Sequence, residues 1–196
     1  MMLGNALQKV KEYYRVKADI NLDAIAGNAK EIKKKLQSGV KLAAVIKADG
    51  YGHGAVPVAK TVYETADWFA VSNIEEALEL REAGIQKPIL TLGYTAPLQL
   101  PEAIRNRITL TLCDMESAKE ISEAASQMGE TAEVHIKVDT GMGRIGFPAD
   151  GSFSETVVEA VSLPNIKATG IYTHFARADE KDKSFANKQM ALFKAF

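Results

Sequence analysis

The sequence predicts an α/β protein, an incomplete (β/α)8 barrel of the TIM type with about six of the eight strands present. Short apolar runs alternate with helical patterns along the chain, which favours a parallel sheet whose strands are joined by helices. Residues suited to chemistry follow several of the predicted strands, and such barrels carry their active sites at the carboxyl ends of the strands.

The predicted elements alternate in order along the chain. Runs of apolar residues predict strands over residues 16–22, 42–47, 68–72, 88–92, 108–112, 132–139 and 168–173. Patterns with helical spacing predict helices over residues 24–36, 55–65, 74–83, 97–106, 115–127, 153–161 and 183–196. Asn73 with Glu75 and Glu76 behind it is typical of a helix start, and Gly84 is typical of a helix end.

The number of strand–helix units that fit in the sequence indicates that the barrel does not close. Six strands fill residues 42–173, and only 23 residues follow Thr173, whereas two more strand–helix units need roughly fifty. These last residues predict a helix that ends without a Gly or Asn cap. Its apolar face carries Phe185, Leu192, Phe193 and Phe196. We expect an amino-terminal extension over residues 1–14 and an incomplete barrel domain over residues 15–196.

Composition narrows the classes of partner and compartment. Lys and Arg total 24 against 25 Asp and Glu, a formal net charge of −1, so no global field attracts nucleic acid or an anionic membrane. We expect small molecules or proteins as partners. Cys113 is the single cysteine and lies in an apolar run, which indicates a buried thiol and a reducing compartment. The sequence has no signal-peptide core and no membrane-length apolar stretch, so we expect a cytoplasmic protein.

Lys47 stands at the mouth of the apolar strand 42–47 and is followed by three glycines within five residues. Loss of hydration at such a position lowers the pKa of a lysine ammonium and makes the amine available to attack an aldehyde. The glycines permit the backbone to approach a phosphate closely, with Tyr51 between them as a hydrogen-bonding ring. The competing interpretation is a surface lysine that is solvated or paired with a carboxylate.

A second glycine-rich segment, GMGRIG at residues 141–146, follows the strand 132–139. It satisfies the G-x-G-x-x-G pattern, so a dinucleotide-binding oxidoreductase has to be considered. In that fold the glycines open a helix, whereas residues 147–151 keep this chain irregular. The other interpretation makes the glycines a flexible approach to Arg144, whose guanidinium suits a carboxylate or a phenolate. Taken alone, Arg144 is better explained as a residue in a surface ion pair.

Strand parity raises a separate question in the segment that precedes Arg144. His135, Lys137 and Asp139 point to one side of a strand that we expect to be buried on both sides. A buried lysine needs a partner or must lose its charge. A salt bridge from Lys137 to Asp139 or to another inward carboxylate is one solution, and the residues alone leave the choice open.

The strand 168–173 runs directly into His174. A histidine at a strand end is commonly a hydrogen-bonded core residue, and it can also serve as a proton-handling group. The other two histidines, His53 and His135, share no metal-ligand spacing with it, so we predict no metal site.

Together, three segments resemble the alanine racemases of bacteria, which use pyridoxal 5'-phosphate. The matching runs are AVIKADGYGHG at residues 44–54, DTGMGRIG at 139–146 and GIYTHFA at 170–176. The resemblance runs from Arg15 to the end of the chain but covers only the amino-terminal half of such an enzyme. It implies that strand 16–22 lies with a carboxyl-terminal β domain, which this sequence lacks.

The resemblance also implies roles for five residues. Lys47 holds the cofactor covalently and acts as the base on the D face of the substrate. Tyr51 binds the cofactor phosphate, and His174 helps to fix the cofactor ring. Arg144 contacts the phenolic oxygen of the cofactor and the carboxylate of the substrate. Lys137 matches a lysine that many family members carry in carbamylated form, and the resulting anion orients the arginine.

The implied reaction is the interconversion of L-alanine and D-alanine, which supplies D-alanine for peptidoglycan, in a homodimer whose second base is a tyrosine from the other subunit. That tyrosine lies outside this sequence, so we expect residues 1–196 alone to be inactive. Two alternatives stay open: a non-catalytic carrier barrel for pyridoxal phosphate, and a barrel scaffold without a cofactor. The sequence also leaves open whether the substrate is alanine or serine.

Overall fold

The computed structural model describes residues 16–196, so the predicted extension at residues 1–14 lies outside the described residues. The helices are α1 (Leu22–Lys35), α2 (Ala55–Thr61), α3 (Ile74–Glu82), α4 (Leu100–Arg105), α5 (Met115–Met128), α6 (Ser154–Val161) and α7 (Ser184–Ala195). The strands are β1 (Ala43–Val45), β2 (Trp68–Val71), β3 (Ile89–Thr91), β4 (Leu110–Leu112), β5 (Ala132–Asp139), β6 (Phe147–Pro148) and β7 (Ile166–Tyr172).

Six of these strands follow one another in a parallel sheet in the order β1-β2-β3-β4-β5-β7. Strand pairing joins β1 to β2, β2 to β3, β4 to β5 and β5 to β7. The step from β3 to β4 is bridged because Thr91 N–H donates to the Thr109 carbonyl at 3.0 Å and Thr109 N–H donates to the Ile89 carbonyl at 2.9 Å. The prediction of an incomplete α/β barrel with six strands from residue 42 onward is therefore confirmed.

The core lies between the inner strands and the helices that cover them. Leu80 of α3, Ile89 of β3, Leu112 of β4 and Val134 of β5 are fully buried. Burial falls towards both edges of the sheet, where Val45 on β1 is 43% exposed and Ile171 on β7 is 45% exposed. Both edge strands thus keep apolar surface in contact with solvent, as expected for a barrel that is open on one side.

Side-chain caps fix where several helices begin. Asn21 accepts a hydrogen bond from Ala24 N–H at 2.9 Å, and Asn73 accepts one from Glu76 N–H at 3.0 Å. These caps supply acceptors for N–H groups that have no partner within the helix. The predicted helix start at Asn73 is therefore confirmed. Among residues 16–196 no helix is long and apolar enough to cross a membrane.

The strand prediction for residues 16–22 is wrong. Residues 16–21 belong to no regular element, and Leu22 already starts α1. Every residue from 16 to 21 is exposed, and no strand among the described residues pairs with this segment. Without a pairing partner its backbone gains no ladder hydrogen bonds, so the apolar alternation alone does not make a strand.

Strands β5 and β7 are offset by a bulge that matters for the site. Val134 pairs with Ala168, but the next residue, His135, pairs with Gly170. A side chain at Gly170 would collide with the imidazole, because an added Cβ would lie 2.7 Å from His135 Nε2. The extra residue in β7 brings Tyr172 opposite Lys137.

A glycine pair tests the packing of the strand ends. A Cβ at Gly93 would lie 2.7 Å from the Ser72 carbonyl oxygen, whereas nothing lies within 4 Å of a Cβ at Gly27 in α1. We expect Gly93→Ala to lower the free energy of unfolding by about 1–3 kcal/mol through overpacking. Gly27→Ala should raise it by about 0.4–1 kcal/mol, because alanine narrows the unfolded ensemble and favours the helix. Urea unfolding measures the free energy of unfolding of both variants. Equal changes in the two variants would contradict the close contact between Gly93 and the Ser72 carbonyl.

Candidate functional site

Three of the predicted site residues lie at the carboxyl edge of the sheet. Lys47 follows β1, Arg144 follows β5 and His174 follows β7. Burial lowers the pKa of His174, and the positive charges of Arg144, Lys137 and Lys47 lower it further. Because charges act on a pKa only over short distances in a protein near water, the three cations lie near enough to His174 to lower its pKa. His174 is therefore a neutral imidazole at neutral pH.

Lys47 begins a turn whose backbone dihedral angles are uncommon. Ala48, Asp49, Gly50 and Tyr51 all have φ between 51° and 60° with positive ψ, so the chain makes one left-handed helical turn over Lys47–Gly52. The sequence predicted unusual conformations for the glycines only. Three non-glycine residues in this region cost of order 1 kcal/mol each, and such strain is commonly found at functional sites. Lys47 itself is half-buried, and Tyr51 is exposed.

Two carboxylates hold the left-handed turn in place. Asp49 Oδ1 accepts a hydrogen bond from Ala55 N–H at 2.8 Å and so fixes the start of α2. Glu76, on α3, accepts from Ala48 N–H at 2.8 Å with one oxygen and from Ser72 N–H at 2.7 Å with the other. Glu76 therefore ties the residue after Lys47 to the end of β2. The sequence identified Glu76 only as part of a helix start.

Asp139 organises the loop that carries Arg144. Its Oδ1 atom accepts hydrogen bonds from the N–H groups of Gly141, Met142 and Gly143 at 2.8–3.1 Å, and Oδ2 accepts from Arg144 N–H at 3.1 Å. Burial raises the pKa of the Asp139 carboxyl, but the four backbone donors together outweigh burial and hold the pKa below its ordinary value. The loop is thus wrapped around one ionised carboxylate.

The guanidinium of Arg144 is exposed, and no ion pair of Arg144 occurs among residues 16–196. The surface salt bridge considered for it is therefore not formed. A guanidinium that is presented at the sheet edge without a protein carboxylate can bind an anionic group of a small molecule in a bidentate manner.

Lys137 is 2% exposed and faces the interior of the open barrel beside Tyr172, with its Nζ atom 5.7 Å from the ring centre. Nζ donates hydrogen bonds to the carbonyls of Val138 at 2.9 Å and Ile145 at 3.3 Å. Burial lowers the pKa of Lys137, the charge of Asp139 raises it, and the charge of Arg144 lowers it. No salt bridge to Asp139 forms, since that carboxylate is engaged by the loop. Among residues 16–196, the hydrogen-bond partners of this buried amine are two backbone carbonyls.

Tyr172 crosses the barrel interior below His174. Thr111 donates to the Thr91 carbonyl at 2.6 Å, so the Tyr172 hydroxyl donates to Thr111 Oγ1, also at 2.6 Å. Burial raises the pKa of Tyr172 to about 12, and the phenol stays protonated. This contact links β7, two residues before His174, to β4 and β3.

The sequence interpretation missed Gln189 entirely. It lies on α7 and is fully buried, and its amide reaches the loops that follow β5 and β7. A signal was present, because Gln189 is four residues after Phe185 and three before Leu192 and so interrupts the apolar face of its helix. The role of Asp139 could also have been found in the sequence. An aspartate just before a glycine-rich turn can accept hydrogen bonds from the backbone N–H groups that follow it.

The dinucleotide interpretation of GMGRIG is wrong for a structural reason. The glycines lead into β6, which pairs with the end of β5, and α6 begins only at Ser154. No helix amino terminus therefore stands where a pyrophosphate would bind. Among residues 16–196 no group of three or more His, Cys, Asp or Glu side chains is arranged to hold a metal ion. Cys113 is buried, as predicted.

The chemistry of the site fits a small anionic cofactor that carries an aldehyde. Lys47 offers an amine for a covalent bond to the aldehyde. Arg144 provides positive charge, and the neutral imidazole of His174 can exchange hydrogen bonds with a ring. Because no carboxylate lies within ion-pair distance of Lys47 or Arg144 among the described residues, an anionic group such as a phosphate or phenolate would be stabilised here.

Comparison with known proteins gives a consistent set of relatives. The family model described as "Alanine racemase, N-terminal domain" matches residues 20–196. An alanine racemase of Desulforamulus reducens is 48% identical over 177 residues, which are 90% of this chain and 48% of that protein. Alanine racemase 2 of Caldanaerobacter subterraneus subsp. tengcongensis is 46% identical over 179 residues, which are 90% of this chain and 46% of that protein.

The solved structure of an alanine racemase from Clostridium difficile 630 has a TM-score of 0.87 and 42% identity to this chain, and the match covers 92% of this chain and 49% of that one. The chain thus spans about half the length of the relatives it matches.

The role of Asp139 can be tested by stability and its pH dependence. We expect Asp139→Asn to lower the free energy of unfolding by about 1–3 kcal/mol at neutral pH, since an amide NH2 would face backbone donors. The folded pKa of Asp139 is lowered, so its contribution is present above the unfolded pKa and is lost as pH falls through the folded pKa. The deficit of the variant should therefore shrink in acid.

Asp150→Asn is the matched control, because Asp150 lies in the same segment but accepts hydrogen bonds only from Ser152 and is exposed. Its effect should stay within about 0.5 kcal/mol. A deficit for Asp139→Asn that is independent of pH would contradict the assignment.

Proposed function

Since the chain belongs to the alanine racemase family, of which it carries the amino-terminal domain, we propose that it provides the cofactor-binding part of an enzyme that interconverts L-alanine and D-alanine. The main support for the proposal is that Lys47, Arg144 and His174 lie at one edge of the sheet. The charges of Lys47 and Arg144 are close enough to lower the pKa of His174. Neither a solvated surface lysine nor an isolated arginine ion pair accounts for that arrangement.

Four residues would hold pyridoxal 5'-phosphate in this proposal. Lys47 would bond covalently to its aldehyde, Tyr51 would donate to its phosphate, Arg144 would donate to its phenolic oxygen, and His174 would contact its ring. The bound cofactor withdraws electrons from the Cα–H bond of an amino acid and so acidifies it. The chain's own contribution is to bind, orient and move protons.

Each side chain has a distinct task at the substrate. The guanidinium of Arg144 binds the substrate carboxylate and fixes which side of Cα faces Lys47. The Lys47 amine would remove or return the Cα proton on the D face. His174, kept neutral by burial and by the nearby positive charges, can accept or donate a hydrogen bond without adding a further charge.

A second base is needed on the L face, because a racemase must protonate Cα from both sides. We propose that a tyrosine of a second subunit supplies it, so that the active enzyme is a homodimer. D-alanine for peptidoglycan would be the product, and the cytoplasm would be the compartment. The comparisons give no support to the alternative of a non-catalytic carrier barrel, since the relatives reported above are named as racemases.

The proposed function is tested most simply through Lys47. In the protein as its gene encodes it, Lys47→Ala should abolish racemisation of alanine, because both the covalent attachment and the D-face base are removed. Borohydride reduction followed by peptide mapping should find pyridoxyl on Lys47 in the unmodified protein and none in the variant. Lys60→Ala, at an exposed lysine on α2, is the control and should retain both.

Label on another lysine, or racemisation that survives Lys47→Ala, would contradict this part of the proposal. We also propose that a polypeptide of residues 1–196 alone racemises alanine negligibly, because it lacks the second base and keeps apolar surface at both sheet edges. Conversion of both enantiomers by residues 1–196 at the rate of a polypeptide extended to the full length of the relatives would contradict that statement.

We further propose that Lys137 becomes carbamylated and that the carbamate supports Arg144. A neutral amine attacks carbon dioxide to give a carbamate and one proton, and burial favours the neutral amine by lowering the pKa of Lys137. After exposure of the protein to ¹³C-bicarbonate, we expect one slowly exchanging carbamate signal that is absent from Lys137→Met. The exposed Lys60→Met should keep the signal. A spectrum without this signal in the unmodified protein would contradict the proposal.

A further inference from the structure

Gln189 is a fully buried polar side chain between the two loops that carry Arg144 and His174. It comes from the middle of α7 and is 0% exposed. Its Oε1 atom accepts from Ala176 N–H at 2.9 Å, while Nε2 donates to the His174 carbonyl at 3.1 Å and to Thr140 Oγ1 at 3.1 Å. One amide thus uses both of its N–H donors and its oxygen at once.

The orientation of this amide is determined by its partners. The Ala176 N–H can only donate and the His174 carbonyl can only accept, so the oxygen must face Ala176 and the nitrogen must face His174. A buried amide whose hydrogen bonds are all made fixes the geometry around it, because each lost bond would leave a buried polar group unsatisfied.

A directed chain of hydrogen bonds leads from Gln189 to Lys137. Thr173 Oγ1 donates to the Val138 carbonyl at 2.9 Å, so its oxygen accepts from Thr140 Oγ1 at 2.8 Å. Thr140 in turn accepts from Gln189 Nε2. The Val138 carbonyl at the end of this chain is also the acceptor of Lys137 Nζ at 2.9 Å. The Gln189 donor at one end of this chain and the Val138 acceptor at the other are consistent with a single direction of both hydroxyls.

We propose that Gln189 is a positioning residue that holds the loops after β5 and β7 together, so that Arg144 and His174 face the same bound molecule. The inference rests on the proposed function only where it concerns pyridoxal phosphate and alanine. The two loops belong to separate strands and end in irregular backbone, so their relative position depends on contacts that cross between them. Gln189 makes such contacts to the β7 loop through backbone atoms and to the β5 loop through Thr140.

The physical reason for using an amide here is that it donates and accepts in one plane. An apolar side chain of the same length would fill the space but would leave Ala176 N–H and the His174 carbonyl without these partners. The loop after β7 would then move towards water to satisfy them, and His174 would move with it. A displacement of about 1 Å at such a site can cost up to about 100-fold in rate.

The test compares Gln189→Met with Gln127→Met in the protein as its gene encodes it. Both substitutions make the same chemical change on a helix, but Gln127 is exposed on α5 and bonds only to Glu123. Titration of the imidazole resonances by NMR reports on His174 without any need for activity. In Gln189→Met we expect the pKa of His174 to move up towards the ordinary value of a histidine, because the imidazole would lie farther from the positive charges of Arg144, Lys137 and Lys47 that lower it. Gln127→Met should leave it unchanged.

A second readout concerns the cofactor. We expect Gln189→Met to weaken binding of pyridoxal phosphate by about 10-fold and to lower kcat for alanine, while Gln127→Met does neither. If no variant and no unmodified protein binds the cofactor, the proposed function fails, and the titration of His174 still decides the role of Gln189.

Thr140→Val provides a test that does not depend on how Gln189→Met folds. Valine keeps the shape of threonine but removes the hydroxyl between Gln189 and Thr173. We expect this variant to weaken cofactor binding while its His174 titration stays closer to the unmodified protein, since the contacts from Gln189 to the β7 loop remain. An unchanged His174 titration in folded Gln189→Met, or unchanged cofactor binding in both variants, would overturn the inference.

Discussion

The candidate site depends on how the backbone N–H groups beyond the strand ends find acceptors. Once a parallel strand ends, its backbone loses its ladder partners, and irregular turns leave donors that must be bonded elsewhere. Three side chains accept them: Glu76 bonds the segment after Lys47, Asp139 bonds the loop before Arg144, and Gln189 bonds the segment after His174. The chemically useful residues are therefore held by neighbours that take no part in chemistry themselves.

This arrangement also explains why the site is positively charged. Asp49, Glu76 and Asp139 lie in these loops or contact them, and all three are engaged by backbone donors. Their carboxylates are therefore not available to pair with Lys47, Lys137 or Arg144. The cations lower the pKa of His174 and remain available to an anionic ligand. The same backbone hydrogen bonds thus have two effects. They hold the loops in place, and they occupy carboxylates that could otherwise pair with the cations.

Much of the fold could be predicted from the sequence, because apolar runs of strand length separated by helical patterns leave few alternatives to a parallel sheet. The carboxyl-edge location of Lys47, Arg144 and His174 followed from the same pattern. Whether residues 16–22 form a strand could not be predicted from their apolar pattern, since a strand forms only where a second strand pairs with it. The left-handed turn after Lys47 was missed because non-glycine residues rarely adopt positive φ without tertiary support. Gln189 was missed because its partners are far away in sequence.

We propose that three strand ends build one binding site for pyridoxal phosphate. A crystal structure of the protein with pyridoxal phosphate tests it most directly. We expect one cofactor at the carboxyl edge of the sheet, with continuous density to Lys47 Nζ, Arg144 within hydrogen-bond distance of the ring oxygen and His174 in contact with the ring. A cofactor bound at the amino-terminal edge of the sheet, or one that contacts Lys47 but neither Arg144 nor His174, would contradict it.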